Sequence, residues 1–451
     1  MLIPEVDTLL GMDTYATSTE GIGGAIKRVV DDFVVEEVLV DGAKASISGE
    51  VPIRAIGSSA QRQRFLLCLL VKRNWDTFVA AKNVAKSLGI DQCRVQFAGI
   101  KDAKAVTAQH ITIENVTVEE AAKVDVTDVK VAPIGYVREM LSLFYLLGNN
   151  FTITIKDSEA SEAAASERIE QTMQQISAIG GIPNFFGHQR FGTTRPITHF
   201  VGKALAQGSF EEAAMLFLAK PSPHEHPASR QARQELQDTH NFKHASDAFP
   251  KQLRFERLML QHLAENPTDY VGAFRRLPLK LQALFVQAHQ SYLFNRFLSE
   301  RLKHNLPLNA VVEGDFVVGV ERTGLPMTSM EKTVTSENLV QVNEAIKLGK
   351  MRLALPIFGL RQKLSGGVMG EIERQVLFAE GLDQNPVRLN ELSRVGGKGG
   401  LRTAAAPVKD FKLLKAAGGS VQVSFMLLRG CYATVLLREI IKPQNPVASG
   451  F

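Results

Sequence analysis

Residues 97–109 read Phe97-Ala-Gly-Ile-Lys-Asp-Ala-Lys-Ala-Val-Thr-Ala-Gln109 and place one carboxylate, Asp102, in a short loop between two β-compatible runs. Lys101 and Lys104 flank this acid. A lone Asp between two lysines at the mouth of two strands suits chemistry on an anionic substrate. It also suits an ordinary charged turn, which is the commoner use of such a residue. Both interpretations stay open on these residues alone.

Length and composition indicate a globular protein with more than one domain. The chain has 451 residues, 45% of them hydrophobic and 22% charged, and this length exceeds one ordinary core. No apolar run approaches a membrane span and the N-terminus has no signal region, so we expect a cytoplasmic protein. The cysteines, Cys68, Cys93 and Cys431, lack the spacing of a metal site.

The distribution of charge is more informative than the net charge of +5, which is small for this length. Residues 171–210 contain no Asp or Glu. A second base-rich run extends from residue 394 to residue 415, with one acid, Asp410. Such runs suit phosphate contacts or a solvated face, and charge alone does not decide between them. The bases of the second run are Arg394, Lys398, Arg402, Lys409, Lys412 and Lys415.

Strands and helices alternate in the first half of the chain, and helices dominate from about residue 200. The predicted strands are 34–40, 65–71, 95–97, 107–113, 129–131, 151–155, 311–320 and 421–428. The predicted helices are 77–88, 160–178, 209–219, 227–236, 252–264, 281–302, 336–347 and 432–441. The Gly-rich residues 396–400 are expected to form a flexible connection. The pattern predicts an α+β sheet domain, residues 1–199 and 395–451, with a mostly helical domain, residues 200–394, inserted into it.

A second candidate site is the loop Asn184-Phe-Phe-Gly-His-Gln-Arg-Phe-Gly192. Aromatic faces stack on nucleobases and arginine holds phosphates, so Phe186 and Arg190 suit a nucleobase pocket. Phenylalanine is more often a core residue, and Phe185, Phe186 and Phe191 equally suit core positions beneath a glycine turn. Both interpretations stay open on this motif.

Other motifs favour ordinary structural roles. His224, His226, His240 and His244 cluster in a polar segment without further ligands at tight spacing, so we expect a mobile surface segment rather than a metal site. We find no phosphate-binding loop and no dinucleotide fingerprint. No second carboxylate pairs obviously with Asp102, which disfavours a two-acid hydrolase.

Taken together, the motifs resemble the TruD family of tRNA pseudouridine synthases over nearly the full chain. No single motif decides this, but their order matches that of the family. The Gly-Ile-Gly-Gly opening and the length resemble archaeal members more than bacterial ones. The matching segments are Gly23-Gly-Ala-Ile-Lys27, Asp32-Phe-Val-Val-Glu36, Asn74-Trp-Asp-Thr77, Phe97 to Thr107 with Gln109, Gly148-Asn-Asn-Phe151, Asn184-Phe-Phe-Gly187, Gln189-Arg-Phe-Gly192, Gln290-Ser-Tyr-Leu-Phe-Asn295, Gly314-Asp315, Gly430-Cys-Tyr-Ala-Thr434 and Leu437-Arg-Glu439.

The resemblance implies a pseudouridine synthase catalytic domain, with a mixed, mostly antiparallel sheet and a central cleft. It implies a family-specific inserted domain, mostly helical. The implied activity is isomerisation of a D-arm uridine, position 13 of tRNA, to pseudouridine. The implied partner is tRNA, with no cofactor, no metal and no membrane, and no protein partner is evident.

Position by position, the resemblance implies Asp102 as the catalytic aspartate and Lys27 as its basic partner. It implies Phe186 as the aromatic that stacks on the target base and Asn184 as the polar residue of that loop. The other predicted substrate contacts are Arg190, Gln189 and Lys101.

The chain departs from the family at two places. Basic residues often lead into the Gly-Asn-x-Phe segment, whereas residues 141–147 here read Leu-Ser-Leu-Phe-Tyr-Leu-Leu. His188 stands at a variable position with no implied role. The runner-up function is a tRNA-binding protein or folding chaperone of the same fold without turnover, and a third is a metal-independent hydrolase of nucleosides or glycosides. Intact Lys27, Asp102 and Phe186 favour the synthase.

Overall fold

Strands and helices alternate along the protein in the computed structural model, which describes residues 2–382 and 397–451. The strands are β1 (Phe33–Leu39), β2 (Phe65–Arg73), β3 (Val95–Phe97), β4 (Val106–Glu114), β5 (Val129–Val137), β6 (Leu146–Ile155), β7 (Ile182–Pro183), β8 (Phe316–Val320), β9 (Pro326–Thr333), β10 (Met351–Ile357), β11 (Gly400–Thr403), β12 (Ala405–Ala406), β13 (Lys409–Ala417) and β14 (Ser420–Leu428). The helices are α1 (Glu5–Leu9), α2 (Thr77–Ser87), α3 (Val118–Ala121), α4 (Glu162–Ala178), α5 (Thr198–Ala206), α6 (Phe210–Ala219), α7 (Pro227–Thr239), α8 (Phe242–Ala248), α9 (Arg254–Glu265), α10 (Tyr270–Arg275), α11 (Leu279–Lys303), α12 (Leu339–Lys347), α13 (Gly367–Ala379) and α14 (Ala433–Ile441).

The largest sheet is mixed, with a parallel pair, β1 and β4, at its centre. The strand order is β13-β14-β6-β1-β4-β2-β5, and β3 pairs with β4 beside this path. The remaining neighbours in this order pair antiparallel. This arrangement confirms the predicted α+β fold with a mixed, mostly antiparallel sheet.

Strand β2 is buried on both faces, which explains its continuous apolar sequence. Leu66 and Leu70 pack against helix α2, and Leu67 joins a cluster on the opposite face. Helix α2 begins after Asp76, whose Oδ1 accepts two backbone N–H hydrogen bonds at 2.8 and 3.1 Å. This N-cap fixes the start of α2, beside the loop that contains Asp102.

The middle of the chain forms a helical core and a smaller sheet of order β11-β10-β8-β9. Helix α11 joins both halves of the protein, because Phe285 packs in the helical core and Phe294 in the core beneath the large sheet. The predicted domain edge at residue 200 falls within α5, and the edge at residue 395 lies outside the described residues. The division into a sheet domain and an insertion stays a prediction.

Several elements differ from the predicted ones. Strand β6 begins earlier than expected because it pairs with β14 from Gly148 onward, although its first residues lack alternation. Lys412 and Lys415 of the base-rich run lie on β13, at the edge of the large sheet, where lysines deter pairing with other chains. In the predicted flexible connection, Gly400 begins β11. Arg394 and Gly396 lie outside the described residues.

The clustered histidines lie in and around helices α7 and α8. His226 is the N-cap of α7, and its Nδ1 accepts a hydrogen bond from Ala228 N at 3.3 Å. His244 Nε2 lies 2.9 Å from a Glu235 carboxylate oxygen. Across residues 2–382 and 397–451, no group of three or more His, Cys, Asp or Glu side chains could hold a metal ion. Within the same ranges, no helix combines the length and the apolar sequence of a membrane span.

A buried ion pair ties the two ends of the chain together. Arg438 on α14 donates to Asp7 Oδ2 and to the carbonyl of Met12 at 2.9 Å. The other carboxylate oxygen of Asp7 lies 2.7 Å from His188 Nε2, which gives His188 a structural position. Burial alone would raise the pKa of Asp7, but Arg438 and His188 outweigh it and the pKa is lowered.

We expect Arg438→Met to destabilise the protein by about 3–5 kcal/mol, because it leaves the buried Asp7 carboxylate without its cation. Urea denaturation followed through the fluorescence of Trp75, the single tryptophan, measures this loss. The double variant Asp7→Leu, Arg438→Met should recover most of it, since both buried charges are then absent. An Arg438→Met protein that unfolds at the wild-type urea concentration would contradict this account.

Candidate active site

The parallel pairing of β1 with β4 brings Lys27 and Asp102 together. Val34 lies opposite Val106, so the loops that lead into these two strands meet at the same end of the strand pair. Lys27 Nζ lies 2.9 Å from Asp102 Oδ1, and it lies 4.3 Å from the centre of the Phe33 ring. Lys27 has a φ of 58°, a left-handed conformation that is uncommon outside glycine, so its surroundings hold it in place.

The loop that carries Asp102 is fixed by hydrogen bonds to its backbone. Lys72 Nζ donates to the carbonyl of Asp102 at 2.8 Å and to the carbonyl of Trp75 at 2.7 Å. The N–H of Lys101 donates to Thr77 Oγ1 at 3.0 Å. Burial lowers the pKa of Lys72 to about 8. The Asp102 carboxylate therefore projects from a backbone anchored on both β2 and α2.

Lys101 has different contacts from those predicted. Its side chain is 3% exposed, and its ammonium lies 2.7 Å from Oε2 of Glu37, whose side chain has no exposed surface. His110 N donates to Glu37 Oε1 at 3.0 Å. Burial raises the pKa of Glu37, but Lys101 and His110 outweigh it and the pKa is lowered. Because a buried carboxylate requires a cation, the Lys101 ammonium is engaged by Glu37. Lys101 also lines the cleft, so its predicted contact with the substrate stays a prediction.

A cleft of about 400 Å³ opens beside the carboxylate of Asp102. Phe33, Val35 and Phe151 line it from the large sheet. Residues 431–434, at the start of α14, line it from another part of the chain. Asn149 Oδ1 is buried and has no hydrogen-bond partner among the described residues. The cleft thus combines apolar walls, one ion-paired carboxylate and an open polar acceptor.

The three phenylalanines of the loop at residues 184–192 differ in burial. Phe185 and Phe191 have no exposed surface, as the core interpretation predicts, whereas Phe186 is half-buried. The Phe186 ring packs edge to face against Phe294 at 5.6 Å and Tyr432 at 6.3 Å. Within the described residues, Phe186 is not part of the cleft lining, whereas Tyr432 is. Phe186 therefore lies one ring away from the cleft.

Asn184 also points away from the cleft. Its Nδ2 donates to the carbonyl and to Oγ1 of Thr403, each at 3.0 Å, and its Oδ1 accepts from Arg402 at 2.6 Å. Arg402 lies 4.1 Å from the centre of the Phe186 ring and donates to the carbonyl of Gly430 at 2.8 Å. Burial lowers the pKa of Arg402. Asn184 and Arg402 thus join the 184–187 loop to the segment that precedes Tyr432.

The two other predicted contacts differ in their access to the cleft. Gln189 is exposed and lines the cleft, and its Oε1 accepts from Thr434 Oγ1 at 3.2 Å. Arg190 donates to Ser291 Oγ at 3.1 Å and lies 6.0 Å from the Phe186 ring centre. Burial lowers the pKa of Arg190.

Asn149, Phe151 and Tyr432 are among the cleft residues that were not predicted from the sequence. All three lie in segments that matched the family, but those segments were given no role. Phe151 begins the alternating part of β6, and Asn149, two residues earlier on the same strand, lies on the same face of the sheet, which is the signal that could have found both.

Comparisons with known proteins agree on one family. Residues 9–440 match the family model of tRNA pseudouridine synthase D (TruD). The probable tRNA pseudouridine synthase D of Methanosarcina mazei is 36% identical over 452 residues, 99% of each chain. That of Pyrococcus abyssi is 36% identical over 432 residues, which cover 95% of this chain and 98% of the relative.

A solved structure supports the same assignment. The crystal structure of the putative tRNA pseudouridine synthase D from Methanosarcina mazei matches with a TM-score of 0.83 at 35% identity, over 100% of both chains. The resemblance to archaeal members is confirmed by these relatives. The chain belongs to the TruD family of tRNA pseudouridine synthases.

Proposed function

We propose that this protein converts a D-arm uridine of tRNA, at position 13, to pseudouridine, with Asp102 as the catalytic carboxylate. The observation that carries the proposal is the position of Asp102 at the cleft, with Oδ1 held by Lys27. The other oxygen, Oδ2, accepts no hydrogen bond from the described residues, so it is open to a substrate. Family membership supplies the class of reaction.

The reaction requires an ionised carboxylate at this place. The N1–C1′ glycosidic bond breaks, the uracil turns, C5 bonds to C1′ and loses its proton, and N1 gains a proton, so the atoms balance without a cofactor. A carboxylate can serve as nucleophile or as general base in this sequence, and both roles need the negative charge. The Lys27 ammonium stabilises that charge by ion pairing.

The cleft residues suit a uracil that has left its helix. Unstacking costs a few kcal/mol, which stacking and hydrogen bonds in the pocket offset. We propose that Phe151 and Tyr432 contact the base from opposite parts of the chain, in place of Phe186. Asn149 Oδ1 is an unpaired buried acceptor, and it suits the N3–H donor of uracil. Gln189 supplies a further amide at the rim.

A second candidate, hydrolysis of a nucleoside or glycoside, has one observation in its favour. Asp76 also lines the cleft, so a second carboxylate is present. Asp76 Oδ1 accepts hydrogen bonds from two backbone N–H groups as the N-cap of α2, so Asp76 has a structural role. A hydrolase would release free uracil from the RNA, whereas a synthase retains the base. A binding protein without turnover would do neither.

We expect Asp102→Asn to abolish pseudouridine formation while tRNA binding stays within a few-fold of wild type, because the amide keeps the shape but loses the charge. Release of tritium from tRNA labelled at uridine C5 measures turnover. The matched control is Asp76→Asn, which makes the same chemical change in the same cleft and preserves a good N-cap. Near-normal tritium release by Asp102→Asn would refute the role of Asp102.

We expect Asn149→Ala to lower kcat/KM about 10-fold, because the base loses a hydrogen bond in a buried site. The matched control is Asn150→Ala on the same strand, since alternation turns the adjacent side chain to the other face of the sheet. Steady-state kinetics with unmodified tRNA transcripts distinguish the two. Equal losses in both variants would contradict the contact with the base.

We expect Tyr432→Leu to lose more activity than Phe186→Leu, because only Tyr432 lines the cleft. Stacking of a base on an aromatic ring contributes about 1–3 kcal/mol, so the Tyr432 variant should lose roughly 5- to 150-fold in kcat/KM. Leucine keeps the apolar packing of both sites. A larger loss for Phe186→Leu, measured per folded protein, would return the stacking role to Phe186.

A further inference from the structure

An exposed apolar patch adjoins the cleft on the side where basic residues were missing from the sequence. It consists of Ile100, Met140, Leu143 and Phe144, and we call it the rim patch. Phe144 is 82% exposed and Leu143 58% exposed. A patch of exposed apolar side chains beside a cleft is typical of a contact surface.

The rim patch rests on a rigid support. Nη1 of Arg429 lies within hydrogen-bond distance of the carbonyls of Leu143, Phe144 and Leu146, at 2.6, 3.3 and 3.1 Å. The N–H of Val40 donates to the carbonyl of Tyr145 at 2.9 Å. The turn that presents Phe144 is therefore ordered before any partner binds, which lowers the entropic cost of binding.

The rim patch is continuous with the cleft. Ile100 is 62% exposed and also lines the cleft beside Asp102. Leu146 packs with Ala98 in one buried cluster, so the turn and the Asp102 loop share an anchor. Phe144 lies at most roughly 17 Å from Asn149 along the chain. RNA whose uridine enters the cleft would therefore pass over the patch.

The charges around the patch favour a polyanion. The positive charge that the 141–147 segment lacks is supplied by Arg429, from the end of β14, and by Arg138, which is exposed. Two nearby acids are engaged by the protein itself. Glu139 accepts a hydrogen bond from the Tyr145 hydroxyl at 3.1 Å, and Asp41, which follows Val40, accepts from the N–H groups of Ala43 and Ile56. An exposed aromatic ring on a segment with arginines nearby suits stacking on an unpaired RNA base.

We propose that Phe144 stacks on an unpaired base of the substrate RNA next to the target uridine, so that this chain replaces a basic tRNA contact with an aromatic one. The inference rests on the proposed function for the identity of the RNA. The inference goes beyond the proposed function because it assigns a base contact outside the catalytic cleft.

The test measures the affinity of intact protein for unmodified tRNA transcripts and the rate of tritium release at saturating RNA. We expect Phe144→Ala and Phe144→Leu to raise Kd about 5- to 100-fold with kcat unchanged, and Phe144→Tyr to bind within about threefold of wild type. The slope of log K against log salt should stay constant for Phe144→Ala, because no charge is removed. For Arg138→Gln, the magnitude of this slope should fall by about one, because one phosphate contact is lost.

Phe378→Ala is the matched control, because Phe378 is 86% exposed on α13 and belongs to no site proposed for this protein. Wild-type affinity in Phe144→Leu would overturn the stacking contact and leave an apolar surface for a protein partner. Equal losses in the Phe144 and Phe378 variants would also overturn it. If wild-type protein releases no tritium, the proposed function fails, and the Kd values still decide the role of Phe144.

Discussion

The parallel pairing of β1 with β4 is the constraint on which the active site depends. In an antiparallel pair, the loops that lead into the two strands lie at opposite ends of the pair. Here the strands run in the same direction, and the loops that carry Lys27 and Asp102 meet. A single change of strand direction would separate the ammonium from the carboxylate by the length of a strand.

Three lysines surround the Asp102 loop, and each binds a different partner. Lys72 and Lys101 are buried, so their charges must be satisfied inside the protein. Lys72 holds backbone carbonyls and Lys101 holds Glu37, which fixes the loop from two sides. Lys27 is left to face the carboxylate of Asp102. The site therefore concentrates positive charge without exposing most of it to bulk solvent.

The sequence was sufficient to predict the helices and strands that depend on interactions between neighbouring residues. Helix α2 was predicted at residues 77–88, and β2, an apolar run, at residues 65–71, close to the observed bounds. The parallel pair was not visible, because β1 and β4 are far apart in the chain and their patterns do not encode direction. The loop with Phe186 looked like a base pocket since its residue types suit one. Only packing shows that Phe186 contacts Arg402 and Tyr432 and that, of these three, Tyr432 lines the cleft.

The cleft needs residues from both ends of the chain, and this has a consequence for folding. Its far wall, residues 431–434, follows β14, which pairs with β6 through Phe151 and Phe425. Closing so long a loop costs entropy that is recovered only when β14 docks. Until then β6 is an open sheet edge, a surface prone to mispairing. The buried pair of Arg438 with Asp7 forms from the same two chain ends. Docking of the C-terminal segment therefore completes the wall of the cleft, covers the edge of β6 and neutralises Asp7 together, so a stable fold and a complete cleft arise in one step.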